Sequence, residues 1–539
     1  MSGSTAASHP YLAALADQVL VYDGAMGTNI QRHHLTADDF GGKALEGCND
    51  HLVLTRPDVI QSIHEAFLAA GADVVETCTF QSTPHRLREW GLEDKTREIN
   101  VAAARLARAA CDRYATPARP RFVAGSIGPT GMLPSSSDPV LSNVTFEELA
   151  ENYYTQAKYL VEGGVDVLLV ETAQDILEVR AAIAGFERLF AEIGRRVPVQ
   201  AQVTLDTSGR MLLGTDIASA MTTLEALPVD VIGLNCSTGP EHMREPIRFL
   251  AEHSSRPISV IPNAGLPLNT GTGDAVYPLE PAPMGAMLGE FVRDFGVRIV
   301  GGCCGTTPEH IAAIRQAIAE CGMRHAERAA VGSVLRSPSA SRIPYSAMSR
   351  EARVSSAMRS VTLHQEPKPL LIGERVNAQG SRKVKRLLLA DDYEGIVEVA
   401  REQAEAGAHV LDICVAVTER SDEAEQMAKV VKLLSMSVET PLMIDSTEPA
   451  VIAKALEHVP GRAIINSINM ENGRARIDAV VPIAKMHGAA LVALTIDEKG
   501  MAKTRERKLE AARTMHDIVV NEYGLRPEDL IFDALTFTL

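Results

Sequence analysis

Two adjacent cysteines, Cys303 and Cys304, sit inside Gly301-Gly302-Cys303-Cys304-Gly305, directly after the apolar run Val297-Arg298-Ile299-Val300. Thr307-Pro308-Glu309 follows: a capping residue, a proline at the first helical position and an acid in the first turn. The stretch predicts a strand, a tight turn and a helix start. Both thiols then lie at the mouth of the strand, near the positive end of a helix, which favours thiolate. A third cysteine, Cys236, closes another apolar run, Val231-Ile232-Gly233-Leu234-Asn235. Three thiolates at two strand ends suit a catalytic zinc with one position left open. The plainer reading is that free cysteines fill space as small apolar residues. Adjacent cysteines do not readily bridge one another, and a Cys-Cys pair with one remote Cys is not a standard finger spacing. On spacing alone both readings stand.

The elements that must carry these thiols alternate regularly. Short apolar runs begin near residues 19, 73, 121, 165, 198, 231, 258 and 297, separated by helical stretches with glycine-rich corners. Such alternation predicts parallel strands with right-handed crossovers, and eight of them predict a closed (β/α)8 barrel. Polar residues gather just after the strand ends: Asp23, Glu76, Ser126, Glu171, Cys236, Asn263, Cys303 and Cys304. That is the mouth where barrel enzymes place their chemistry. An open doubly wound sheet would not gather the first and last strands around one mouth.

The 539 residues suffice for two large barrels, and 46% hydrophobic with 23% charged residues is an ordinary globular composition. A formal charge of −16 argues against a nucleic-acid or membrane-surface binder. No apolar run approaches the roughly 20 residues that span a bilayer, and Met1-Ser2-Gly3-Ser4-Thr5 carries no signal core. Eight cysteines in so long a chain make no disulfide scaffold. A reducing cytoplasm is the expected location.

The alternation stops over residues 322–368, a Ser/Arg-rich stretch read as a linker between a first domain, 1–321, and a second, 369–539. The second domain repeats the strand–helix pattern with six strands, ending in or near Asn377, Asp412, Asp445, Asn466, Asp497 and Asp533. One Asp at a strand end is usually a helix cap. A ring of Asp and Asn at successive ends fits a ligand with donor-rich edges better. The fold expected is α/β: two TIM-type (β/α)8 barrels in tandem, the second truncated after about six strands. Its open strand edge predicts weak or no ligand binding by this half and a tendency to pair with another chain.

Together, Asp23-Gly24-Ala25-Met26-Gly27-Thr28, Gly47-Cys48-Asn49-Asp50, Glu76-Thr77-Cys78-Thr79-Phe80, Gly125-Ser126-Ile127-Gly128-Pro129, Glu171-Thr172, Asn235-Cys236 and the Cys303-Cys304 motif resemble the homocysteine S-methyltransferase family. The resemblance covers nearly all of residues 10 to 321. It implies Zn2+ held by Cys236, Cys303 and Cys304, and a homocysteine thiol at the open position. It also implies that Asp23, Gly24 and Glu171 hold the amino acid's polar end, with no catalytic residue beyond the zinc site. Cys78 stands where the family usually carries asparagine, and is read as a packing substitution.

The second half resembles the pterin-binding family, in the form of the folate domain of cobalamin-dependent methionine synthases. The resemblance rests on Ile372-Gly373-Glu374-Arg375-Val376-Asn377, Leu411-Asp412-Ile413, Ile444-Asp445-Ser446, Asn466-Ser467-Ile468-Asn469 and Phe532-Asp533-Ala534-Leu535-Thr536-Phe537. It implies methyltetrahydrofolate as methyl donor, bound by Asn377, Asp412, Asp445, Asn466 and Asp533. It further implies methylcobalamin carried by a domain in cis in a longer chain or in trans. Cys414 and Ala534 depart from that family's pattern. The competing functions are a cobalamin-free homocysteine S-methyltransferase and a non-catalytic zinc- and folate-binding fragment.

Overall fold

The computed structural model describes residues 9–269, 275–331 and 351–536. Eight parallel strands form the first domain: β1 (Leu20–Val21), β2 (Val74–Glu76), β3 (Phe122–Ile127), β4 (Val167–Ala173), β5 (Val199–Val203), β6 (Val231–Asn235), β7 (Ile258–Ile261) and β8 (Ile299–Val300). β1 pairs with β8 in register Leu20 to Ile299. Tyr22 bridges Val74, and the Asp23 amide donates to the Val74 carbonyl at 3.0 Å, so the sheet closes on itself.

The barrel interior is filled from below. The helix Pro10–Asp17 places Tyr11 and Leu15 against Leu20, Phe122, Val167 and Ile299. The Tyr11 hydroxyl lies 2.7 Å from that of Tyr22, and both donate to Gln200 Oε1 at 3.0 Å. This helix precedes the first strand and belongs to no strand–helix unit, so the alternation gives no sign that it is a plug. The outer helices form for ordinary local reasons. Phe146–Gly163, for example, starts at a capping box between Thr145 and Glu148 and buries Leu149, Tyr153, Ala157 and Leu160.

The second domain is a parallel sheet in the order β9 (Ile372–Asn377), β10 (Val410–Cys414), β11 (Leu442–Asp445), β12 (Ile464–Ile468), β13 (Ala490–Leu494) and β14 (Leu530–Asp533). The tandem α/β architecture with six strands in the second sheet matches the expectation from the sequence. β9 and β14 are its edges, and Ile372 and Phe532 are exposed on them.

The segment expected to be a plain connector differs from that reading. The helix after β8 runs Pro308–Val331, continuing past residue 321 because nothing in Gly322-Met323-Arg324-His325-Ala326 terminates it beyond one glycine. Arg353–Ser355 and Ser360–Thr362 form an antiparallel hairpin. Val354 and Val361 of that hairpin are buried against Val410, Met443, Ile464 and Ala490. It plugs the second sheet as the first helix plugs the first barrel. The Ser333, Ser337–Arg342, Ser346 and Ser349–Arg350 part of the Ser/Arg-rich stretch, the Met1–Thr5 terminus and Phe537 lie outside the described residues.

The domains meet through a fully buried arginine. Arg180 donates to the Leu456 carbonyl at 3.3 Å and to the His487 carbonyl at 3.0 Å, each near a helix C-terminus where carbonyls point outward. Thr222 and Thr223 add hydroxyl contacts to Ser360 and Ser355 of the hairpin.

Candidate functional site

A cavity of about 430 Å³ opens at the carboxyl ends of the first barrel's strands. Asp23, Gly24, Glu171, Cys236, Cys303 and Cys304 all line it. Residues from distant parts of the sequence are thus brought together at one mouth.

The three cysteine sulfurs lie within 4.8 Å of one another, the one cluster of metal-ligating groups of this kind among the described residues. Cys236 Sγ is 3.8 Å and Cys303 Sγ 4.0 Å from Cys304 Sγ. Tetrahedral zinc with Zn–S bonds of about 2.3 Å needs sulfurs roughly 3.8 Å apart, so the donor set fits the ion. Hydrogen bonds from Cys236 and Cys303 pull the Cys304 thiol down to about 3. Its bond to Cys236, then that to Cys304, and burial push the Cys303 thiol well up. The three thiols thus share protons among themselves, and a divalent ion held by all three would displace those protons. Cys236 itself sits at φ +60°, in the left-handed region, which turns its sulfur off the end of β6.

Thr306 clasps the two loops that flank the thiols. Its hydroxyl donates to the Cys303 carbonyl at 2.6 Å and accepts from the Ala25 amide at 3.1 Å. Gly24 is required here because a Cβ would stand 2.7 Å from Thr306 Oγ1 and 2.8 Å from the Phe67 ring. A Cβ on Gly305 would stand 2.3 Å from Tyr277, whose ring covers the Cys304 turn.

Three acids line the same cavity as the thiols. Asp23 is 2% exposed; its Oδ2 accepts from the Glu76 amide at 3.1 Å and its Oδ1 has no partner among the described residues. Burial, then the charge of Glu171, raises its carboxyl well above the usual range. Burial lifts Glu171 to about 7, and burial with the charges of Glu171 and Asp23 raises Glu76. Glu171 accepts from Ser126 Oγ and from Asn235 Nδ2. The mutual repulsion of these carboxyls would be relieved by a cationic group. Glu76, marked in the sequence only as a strand-end acid, lies beside Asp23 and Glu171. Asn263, another strand-end residue without an assigned role, is 2% exposed and its Oδ1 has no partner among the described residues.

In the second domain, Asn377, Asp412, Asp445 and Asn466 lie at or near the ends of four successive strands. Asn377 Nδ2 donates to Asp412 Oδ2 at 2.9 Å and to Asp445 Oδ2 at 3.2 Å. Asp445 stands in register with Asn466. Burial raises Asp412 to about 6 and also raises Asp445. Asp533 is set apart: it is exposed on the edge strand and its Oδ1 accepts from the Leu535 amide. Asp497 turns to Arg507 Nη2 at 2.6 Å and takes no part in the ring. Cys414 is buried next to the ring.

The homocysteine S-methyltransferase family model matches residues 20–318 and the pterin binding enzyme family model matches residues 373–538. The chain is 40% identical to a methionine synthase of Mycobacterium leprae over all of its length and 43% of that protein. It is 40% identical to the methionine synthase of Mycobacterium tuberculosis, over 98% of this chain and 42% of that protein. The chain thus spans less than half the length of these curated relatives. A solved structure of the homocysteine methyltransferase MmuM from Escherichia coli, in its oxidized form, aligns with 57% of this chain and 98% of that one, at 24% identity and a TM-score of 0.45.

Proposed function

We propose, because this chain belongs to the homocysteine S-methyltransferase family, that its first barrel binds homocysteine and presents its sulfur for methylation to methionine. The observation that carries the reading is the meeting of three thiols, two buried carboxyls and the half-buried Glu76 in one cavity. Homocysteine has a thiol at one end and an ammonium at the other. Cys236, Cys303 and Cys304 would hold zinc, and zinc when bound lowers the pKa of a thiol that reaches it. The chain's own groups do the rest. Asp23, Glu76 and Glu171 receive the ammonium, whose charge relieves their mutual repulsion. The Gly24 turn lets the amino acid approach the backbone closely, and the Thr306 clasp keeps that turn beside the thiols.

The methyl donor in this reading is methyltetrahydrofolate, its pterin edge read by Asn377, Asp412, Asp445 and Asn466, with Asp533 at the rim. Cobalamin acts as the carrier between the two barrels, held by a further module in cis or in trans. No helix among the described residues is long and apolar enough to cross a membrane. A reducing, cytoplasmic setting would keep the thiols free for metal.

Glu171→Ala tests the amino-acid end. A charge-assisted hydrogen bond in a buried site contributes about 1.5–3 kcal/mol, so homocysteine affinity should fall at least about tenfold. Zinc content should stay at one per chain. Titration calorimetry reads the affinity of the zinc-loaded chain, and metal analysis of the same sample reads its zinc. Unchanged affinity with intact metal would make Glu171 a structural residue and remove this end of the proposed site.

A further inference from the structure

We propose that Asn235 is a positioning residue that sets the distance between the ammonium end and the thiol end of the site, and thereby selects the length of the amino-acid thiol. The proposal rests on the homocysteine reading above.

Asn235 is fully buried at the end of β6, one residue before Cys236. Its side chain does not bond to the neighbouring strand. It reaches to β4 instead, with Nδ2 donating to Glu171 Oε2 at 3.1 Å and to Thr172 Oγ1 at 2.8 Å. Its Oδ1 accepts from the Thr172 amide at 2.7 Å. Both amide hydrogens and the carbonyl oxygen are therefore used, all on two consecutive residues.

Those two residues are irregular. The pairing of β4 with β5 shifts register between Val170 and Ala173, a bulge that re-aims the residues inside it. Thr172 stands at φ +56°, a region that β-branched residues rarely adopt. A bulge leaves backbone groups without ladder partners, and the Asn235 amide takes the place of that partner for Thr172. It also meets one oxygen of Glu171, while Ser126 meets the other.

The chain thus runs continuously from the carboxylate that faces the ammonium, through one amide side chain, to the strand end carrying Cys236. Cys236 and Ser237 are both left-handed, and the Cys236 amide donates to the Ile261 carbonyl at 3.1 Å, so that strand end is itself held in place. On this proposal a thiol one methylene shorter than homocysteine satisfies one end of the span at the expense of the other. Removing the Asn235 amide frees the bulge, lets Glu171 drift, and leaves the thiols where they are.

The experiment is calorimetry of the zinc-loaded full chain with three ligands: homocysteine, cysteine, and 4-mercaptobutyrate, which is homocysteine without its amino group. In Asn235→Ala, homocysteine should bind about tenfold more weakly, as expected for a misplaced charge-assisted contact. The preference for homocysteine over cysteine should shrink with it. Affinity for 4-mercaptobutyrate should change by less than about twofold, because that ligand makes no use of Glu171, and zinc should remain at one per chain. Equal weakening of homocysteine and 4-mercaptobutyrate would show a general loss of the site and overturn the proposal, as would unchanged homocysteine binding. If Asn235→Ala loses zinc, Asn235→Ser repeats the test; zinc loss in both assigns the amide to the metal site and also overturns it. Failure of the unaltered chain to bind homocysteine would sink the functional reading rather than this inference.

Discussion

Cys303→Ala should lower the affinity of the chain for zinc by at least about a hundredfold, or ~3 kcal/mol. The magnitude follows from sharing the roughly 10–16 kcal/mol of a structural zinc site among four ligands. It is a lower bound here because the site would retain two thiols and gain no replacement donor. Among the described residues the other cysteines stand outside this sulfur cluster, although Cys48 and Cys78 line the same cavity. Cys111 donates to the Phe122 carbonyl at 3.3 Å, Cys321 to the Gly289 carbonyl at 3.5 Å and Cys78 to the Asn49 carbonyl at 3.6 Å. Alanine at Cys48, Cys78, Cys111, Cys321 or Cys414 should therefore leave zinc at one per chain. Competition with a chromogenic chelator measures all six variants. Full metal retention by Cys303→Ala would show that the three sulfurs are a packing cluster.

Asp73→Ala should destabilise the first barrel by about 3–5 kcal/mol, the usual effect of stripping a buried charge of its partner. Asp73 is completely buried at the start of β2. Its Oδ1 accepts from Arg119 Nε at 3.0 Å and Arg121 Nη1 at 3.1 Å, and its Oδ2 from Arg315 Nη1 at 2.9 Å and the Val21 amide at 3.1 Å. The last bond lies on the seam where β1 meets β2 and the barrel closes. Arg119 and Arg315 are about one-third exposed and can turn to water, but Arg121 is 5% exposed and would be left buried and unpaired. The single tryptophan, Trp90, packs on the first barrel's core, so its fluorescence in a urea titration reports this domain. A shift below about 1 kcal/mol would place the barrel's closure in its apolar packing instead.

These two sites differ in how far the sequence reveals them. The thiols are legible because paired cysteines flanked by glycines, directly after an apolar run, are poorly suited to simple core filling. The alternation of apolar runs then places Cys236 at an equivalent strand end. Asp73 is not legible, since an acid before an apolar run looks the same whether it meets solvent or three arginines. Asn235 escapes for a related reason. Its partners lie 63 and 64 residues earlier, and only a closed barrel with a bulge in β4 brings them within reach. The 353–362 hairpin is hidden by composition: serines and arginines surround just two buried valines, too few for a strand period to show. In the second domain the ring of Asn377, Asp412, Asp445 and Asn466 follows from strand-end counting. The same counting sweeps in Asp497, whose partner Arg507 comes from the following helix.

The hairpin also bears on function. It touches the second sheet through Val354 and Val361, and the first barrel through Ser355 and Ser360. With Arg180 inserted between helix ends of the second domain, it makes the relation of the two mouths a property of side-chain packing rather than of linker length.

The proposed chemistry stands or falls on three thiolates holding zinc while homocysteine's sulfur takes the remaining position. Zinc X-ray absorption of the loaded chain, with and without homocysteine, counts those sulfurs. Three sulfur neighbours at about 2.3 Å are expected in the absence of homocysteine and four in its presence. A sulfur count that stays at three when homocysteine is bound, or that falls short of three without it, would refute this assignment of the metal and its substrate.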